Sequence, residues 1–409
     1  MPSTFQDVEA IVRDTYLIAD PGIVRILVAS VIANRLPTKP VWLFIVAGSS
    51  TGKTELLKML SGLPDIHSLD TLTPNTLLSG SLGNDSLIFK LYSKIVTFAD
   101  FTTILSMNDM ARDEIMGQLR CVYDGKLTKA TGNRKETLEW AGKMGMLAAV
   151  TTAIYAHAAK YAEMGQRFLM YKFVTADRKE IGRKALKNES RWDMNIRSVE
   201  IADVVSEYVN GLTLPGELPT LPDAISNQIV DIVDITTLAR SAVPRDQYSR
   251  TKIITSREDP EGIPRMSAQL YALGCAFAVM NGSTNLPDSD KAILFKCALD
   301  TIPALRRMAL FALTEYSSVQ VQGLSTHCRL PPDTMQYVLE DLAALDLIDR
   351  IKEPQKAERW RLKPEYKRVL AQFAGIVPSM DDLTGEAERD AREPPPPTDK
   401  DLPPNIMDL

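Results

Sequence analysis

Apolar residues change their spacing several times along this chain, and each change marks an element. Ile23, Ile26, Leu27, Val31 and Ile32 recur at three- and four-residue intervals, the stripe of an α-helix, and residues 5–36 read as two such helices. Residues 41–46 then run without a polar interruption over a length too short for a helix, which predicts a strand covered on both faces. A Gly/Ser loop follows, then a helix over about 52–60. A second apolar strand, 95–98, ends at Asp100, and helical stretches follow at 101–106 and 111–123. Residues 124–139, DGKLTKATGNRKETLE, carry β-favouring segments on either side of a glycine-asparagine tip and predict a hairpin. Strand patterns recur at 146–151 and 168–173, with a helix between them. Strands that alternate with helices imply a three-layer α/β core. Beyond about residue 177 the pattern is helical as far as 300, and 302–364 reads as helices closed by two short strands. There is no internal repeat.

Composition narrows the field. Apolar residues make up 45% and charged ones 24%, an ordinary globular balance. Of the net charge of -5, residues 374–409 contribute -6, with nine acids and three bases, so the remainder is near +1. Bulk charge therefore neither favours nor excludes a nucleic-acid partner. Cys121, Cys275, Cys297 and Cys328 form no CxxC pair and sit in apolar stretches, as reduced thiols do, and His67, His157 and His327 are too scattered for a metal site. The acidic start MPSTFQDVEA lacks the core of a signal peptide, and no apolar run approaches the ~20 residues that span a bilayer. The expectation is a cytoplasmic protein without membrane contact.

The chemistry starts at Ala47-Gly48-Ser49-Ser50-Thr51-Gly52-Lys53-Thr54, which fits a phosphate-binding P-loop with alanine at the first glycine position. Such a loop turns successive backbone N–H groups inward at a helix N-terminus, where they and the helix dipole hold an anion. Gly48 and Gly52 permit backbone angles and a close approach that a Cβ obstructs. Lys53 is then placed for the β- and γ-phosphates of ATP, and the Thr54 hydroxyl for Mg2+. Asp100, at the end of the 95–98 strand, is the one candidate for the magnesium-side acid. A strand-terminal aspartate can equally serve only to cap the next helix. The following position, where many P-loop ATPases keep a glutamate for the attacking water, is Phe101. The base is then another group, Asp113 and Glu114 being nearest on a predicted helix, or turnover is slow.

With strand, loop, acid and hairpin in this order, the chain resembles the AAA+ ATPases related to the minichromosome-maintenance (MCM) helicases, in particular short forms from phages and other mobile elements. The resemblance covers residues 20–365 and rests on order and spacing more than on identity. It implies that the hairpin enters the channel of a homo-oligomeric ring, a hexamer, with Lys126, Lys129, Arg134 and Lys135 on a single-stranded DNA backbone. It implies that Thr151 is a polar γ-phosphate sensor. It also implies that Arg167, in Gly165-Gln166-Arg167-Phe168, is a finger reaching a neighbouring subunit's nucleotide, and that Arg265 is a second sensor, with Arg250 in reserve. Each position has a plainer reading: a solvated hairpin, a strand-end threonine, and arginines that are surface charge.

The C-terminal part reads as a winged helix: helices at 304–315, 323–328 and 332–345, then a two-strand wing over 347–362. MCM-like proteins end in the same way. Asp333, Glu340 and Asp341 leave the third helix without a base, poorly suited to a phosphate-lined groove. Lys352, Lys356, Arg359 and Arg361, around Trp360, make the wing the expected backbone contact, unless the module docks protein or is purely structural. The resulting division is a helical segment (1–38), an AAA+ core (39–176), a helical lid (177–300), a winged helix (301–373) and an acidic tail (374–409). That tail has too little apolar surface to order itself, and its end, Asn405 to Leu409, is either a peptide for a replication partner or a solubilising linker. The function expected is an ATP- and magnesium-dependent motor on DNA in the replication of a mobile element. The alternative is an ATP-gated loader, initiator or transposition regulator that recruits partners without unwinding.

Overall fold

The structure, a computed structural model, describes residues 4–376 apart from 17, 21, 50, 80–82, 131–136, 153, 155–166, 174–178, 180–182, 184–190, 247–252 and 257–259. Two helices come first, α1 (Phe5–Thr15) and α2 (Gly22–Arg35). Thr4 and Asp7 close a reciprocal capping box at the start of α1, satisfying two N–H groups that a helix end leaves open. The core strands and helices are β1 (Trp42–Val46), α3 (Lys53–Lys58), β2 (Ile66–Leu69), α4 (Leu87–Lys90), β3 (Ile95–Phe98), α5 (Thr102–Leu105), α6 (Asp109–Tyr123), β4 (Lys126–Lys129), β5 (Leu138–Ala141), β6 (Gly145–Val150) and β7 (Leu169–Lys172).

Five of the strands form one sheet in the order β2-β3-β6-β1-β7. The pairings β2–β3, β3–β6 and β6–β1 are parallel. Every residue of β1, β3 and β6 is buried, as expected of parallel strands covered on both faces, and this explains why each reads as a continuous apolar run. The sequence reading has no counterpart for β2. That strand lies at the edge of the sheet and places His67 and Ser68 between Ile66 and Leu69, so neither a continuous run nor a clean alternation marks it. The expected hairpin forms as antiparallel β4–β5, with Leu127 opposite Trp140, and its second arm extends to Ala141. The glycine-asparagine tip, with Arg134 and Lys135, lies outside the described residues.

The chain divides into two compact units, one mainly Met1–Ile154 and Phe173–Gly216, the other Tyr155–Lys172 and Glu217–Glu393. The Arg191–Gly211 helix, which falls in the expected lid, packs in the first unit against α1 and α3. Gly62 makes this possible: a Cβ there would stand 2.8 Å from the Ala202 carbonyl. In the second unit the helices Asp223–Arg240, Pro264–Asn281 and Asp288–Asp300 pack together, and Ala304–Thr314, Val321–Cys328 and Pro332–Ala344 form a second three-helix group. The antiparallel strands β8 (Ile348–Ile351) and β9 (Arg359–Leu362) and the helix Pro364–Ala371 follow. A buried ion network braces this unit: Asp300 accepts from Arg307, from Lys296 and from the Lys172 main-chain N–H. No helix among the described residues is long and apolar enough to cross a membrane. No group of three or more metal-ligating side chains occurs among them either. Cys275, Cys297 and Cys328 are buried and Cys121 is exposed, all as free thiols.

Candidate functional site

The Ala47–Thr54 loop leaves the C-terminal end of β1 and runs directly into α3. Its turn depends on Gly52, whose φ of +83° lies in the left-handed region that side chains disfavour. Lys53 is the first residue of α3 and is only 9% exposed. Its Nζ donates to the carbonyls of Ala47 (2.8 Å) and Gly48 (2.5 Å), and the Thr51 hydroxyl donates to the Gly48 carbonyl (2.8 Å). The loop is thus curled around its own lysine. Thr54 is exposed, and Ser50 lies outside the described residues.

Three of the expected positions meet at this edge of the sheet. β6 lies between β1 and β3, and its end bonds to both sides: Ala47 N donates to the Val150 carbonyl (3.4 Å) and Phe101 N to that of Ala149 (2.8 Å). Thr151 N donates to the Thr102 hydroxyl (3.1 Å). The loop, Thr151 and Asp100 therefore share the C-terminal edge, the region where open α/β sheets bind ligands. Asp100 is exposed; its Oδ1 accepts from Thr102 N (2.9 Å), so it caps α5, while Oδ2 has no partner among the described residues. Capping and metal binding use different oxygens and are compatible.

Phe101 points the other way. It is fully buried, 5.2 Å from the rings of both Phe44 and Phe98. The backbone direction that exposes Asp100 turns its successor into the core, so a base cannot come from position 101. On α6, Asp113 pairs with buried Arg112 (3.2 Å), and Glu114 accepts from Gln118 (3.4 Å).

Arg167 and Arg265 belong to the second unit, where one hydrogen bond links their elements. Gln269, one turn after Arg265 on the Pro264–Asn281 helix, donates to the Arg167 carbonyl at 3.1 Å. Arg167 is 8% exposed, so it is not the surface charge of the plainer reading. Arg265 pairs with Glu261 (3.0 Å), whose other oxygen holds Arg240. Neither Glu261 nor Arg240 stands out in the sequence, because only the fold brings them beside Arg265. Arg250 lies outside the described residues.

The basic residues expected on nucleic acid are mostly engaged with acids or polar groups. In the hairpin Lys126 pairs with Glu139 (2.8 Å) and Lys129 donates to Asn75 (3.3 Å). In the β8–β9 pair Arg361 bonds to Asp349 (2.7 Å), its register partner, and Lys356 to Glu353 (2.5 Å). Lys352 lies 3.8 Å from Glu358, and Arg359 donates to both the side chain and the carbonyl of Ser318. Trp360 is a core residue with no exposed face. The acids of the Pro332–Ala344 helix also have partners: Arg245 holds Glu340 and Asp341, and Arg306 shares Asp341. No protein-family model matches the sequence, and no curated protein matches it.

Proposed function

We propose that the chain is an ATPase of the AAA+ class, similar to the MCM-like group, which binds ATP with magnesium at the Ala47–Thr54 loop and works as a homo-oligomer on DNA. One observation carries this reading. Lys53 at the head of α3, Asp100 and Thr151 share one edge of a parallel sheet, with the Thr151 strand between the other two. Chance occurrence of a glycine loop does not account for an acid and a hydroxyl brought to it by two separate strands. The residues fit the metal: the exposed Thr54 hydroxyl and the open Asp100 oxygen would hold magnesium or its water. The ion would supply charge neutralisation at the phosphates. Lys53 and the loop N–H groups bind the triphosphate, Thr151 senses its γ-phosphate, and Arg167 and Arg265 act on the transferring group. The hairpin would contact single-stranded DNA in a hexameric ring, and the C-terminal module is read as a winged helix, its tail as an arm for a replication partner.

A second reading has its own support. With Phe101 in the core and the wing charges paired, an ATP-gated loader, initiator or transposition regulator fits better than a fast helicase. ATP turnover by wild type and Lys53→Ala, with and without single-stranded DNA, tests the common ground. Equal activity of the two proteins would remove both readings. Strand displacement then separates them: rapid unwinding by the protein alone favours the motor, and ATP-dependent assembly without unwinding favours the loader.

A further inference from the structure

Glu261 stands three residues before the Pro264–Asn281 helix and is shared by two arginines of different character. Arg240, at the end of the Asp223–Arg240 helix, has a side chain 3% exposed and bonds Glu261 Oε2. A guanidinium so buried needs a counter-charge, because an uncompensated one is strongly destabilising. Arg240 therefore fixes the carboxylate, which is 17% exposed. Its other oxygen, Oε1, takes Nη1 of Arg265, whose side chain is 31% exposed. Glu261 is the only partner of Arg265 among the described residues.

The geometry of the guanidinium gives this contact a direction. Glu261 occupies Nη1 alone. The parallel N–H groups of Nε and Nη2 stay open, and that edge matches two oxygens of a phosphate in a bidentate contact. The same cluster is tied to the head of β7: Arg240 donates to the Phe168 carbonyl (3.5 Å) and Gln269 to that of Arg167 (3.1 Å). A long exposed arginine would otherwise sample many rotamers and lose that freedom on each encounter with its anion. We propose that Glu261 is a positioning residue, anchored by Arg240, which holds Arg265 by one nitrogen and presents its open edge to the phosphates of a bound nucleoside triphosphate. This rests on the reading of Arg265 as a γ-phosphate contact.

The test is steady-state Mg-ATP turnover by the full chain and its variants Glu261→Gln, Arg265→Ala, the double variant, Arg265→Lys and Lys53→Ala. Loss of one charge-assisted contact corresponds to a fall in kcat of about tenfold or more for Glu261→Gln. KM should stay within about twofold, since the contact acts on the reacting phosphate. The double variant should be no slower than Arg265→Ala, because the two residues act through one interaction. A wild-type kcat for Glu261→Gln, or losses that multiply in the double variant, would overturn the proposal. If Glu261→Gln does not fold because Arg240 loses its counter-charge, Arg265→Lys decides. It keeps the ion pair but lacks the edge, so it should lose as much as Arg265→Ala, and wild-type turnover would refute the idea. Equal turnover by wild type and Lys53→Ala would take the underlying reading down as well, whereas loss in Lys53→Ala with full activity in Glu261→Gln removes Glu261 alone.

Discussion

Phe101 and Asp100 are neighbours with opposite fates, one inside an aromatic cluster and the other in solvent. Replacing Phe101 with Glu should therefore not restore a catalytic base. A carboxylate there has no partner and displaces ring contacts with Phe44 and Phe98. The expected outcome is a stability loss on the order of 3–5 kcal/mol in urea unfolding, without a gain in turnover. A folded, faster Phe101→Glu enzyme would show that the position faces the site. Lys143 offers a second check, through pH. Burial lowers its amine from 10.5 to about 8, while Nζ donates to the Leu36 carbonyl at 2.7 Å. Between those values the unfolded chain holds more protons than the folded one, so this group's contribution is full above 10.5 and is lost as pH falls through about 8. The stability difference between wild type and Lys143→Met should therefore shift in favour of wild type from pH 7.5 to pH 10, by about 1 kcal/mol or more. A pH-independent difference would mean that Lys143 titrates normally.

The start of the central strands depends on one side chain. Asn34, on α2, accepts from Val41 N and donates to the carbonyls of Ser30 and Val41, each at 2.9 Å. A Cβ on Gly145 would meet this amide at 2.6 Å. Because three hydrogen bonds hold Asn34, it cannot move aside freely, and Gly145→Ala should cost about 1–3 kcal/mol and lower Tm by several degrees. Unchanged melting would show that the strand start has slack. The strands themselves were legible where burial on both faces leaves a continuous apolar run, as in β1, β3 and β6. β2 was not, because an edge strand tolerates polar residues and carries no such signature. The hairpin was legible from alternation across a turn, yet its charges read as available when Lys126 in fact bonds to Glu139. Facing acids such as Asp349, opposite Arg361, can be found only once the register is known.

For the chain as a whole, the chemistry most visible in the sequence is that which local spacing dictates. Glycine and lysine at fixed intervals mark the phosphate loop, and a strand ending in aspartate marks Asp100. Thr151 and the arginines entered by resemblance, and Glu261 entered only when the fold set it against Arg240, 21 residues away in sequence. Ring formation, DNA contact and turnover all presuppose that the loop around Lys53 takes a triphosphate. Isothermal titration of wild type and Lys53→Ala with ATP and magnesium measures this directly. Wild type should bind one ATP per chain, and Lys53→Ala should bind at least about tenfold more weakly, having lost a charged contact to the phosphates. No heat of binding in wild type, or equal affinity in the two proteins, would contradict the assignment.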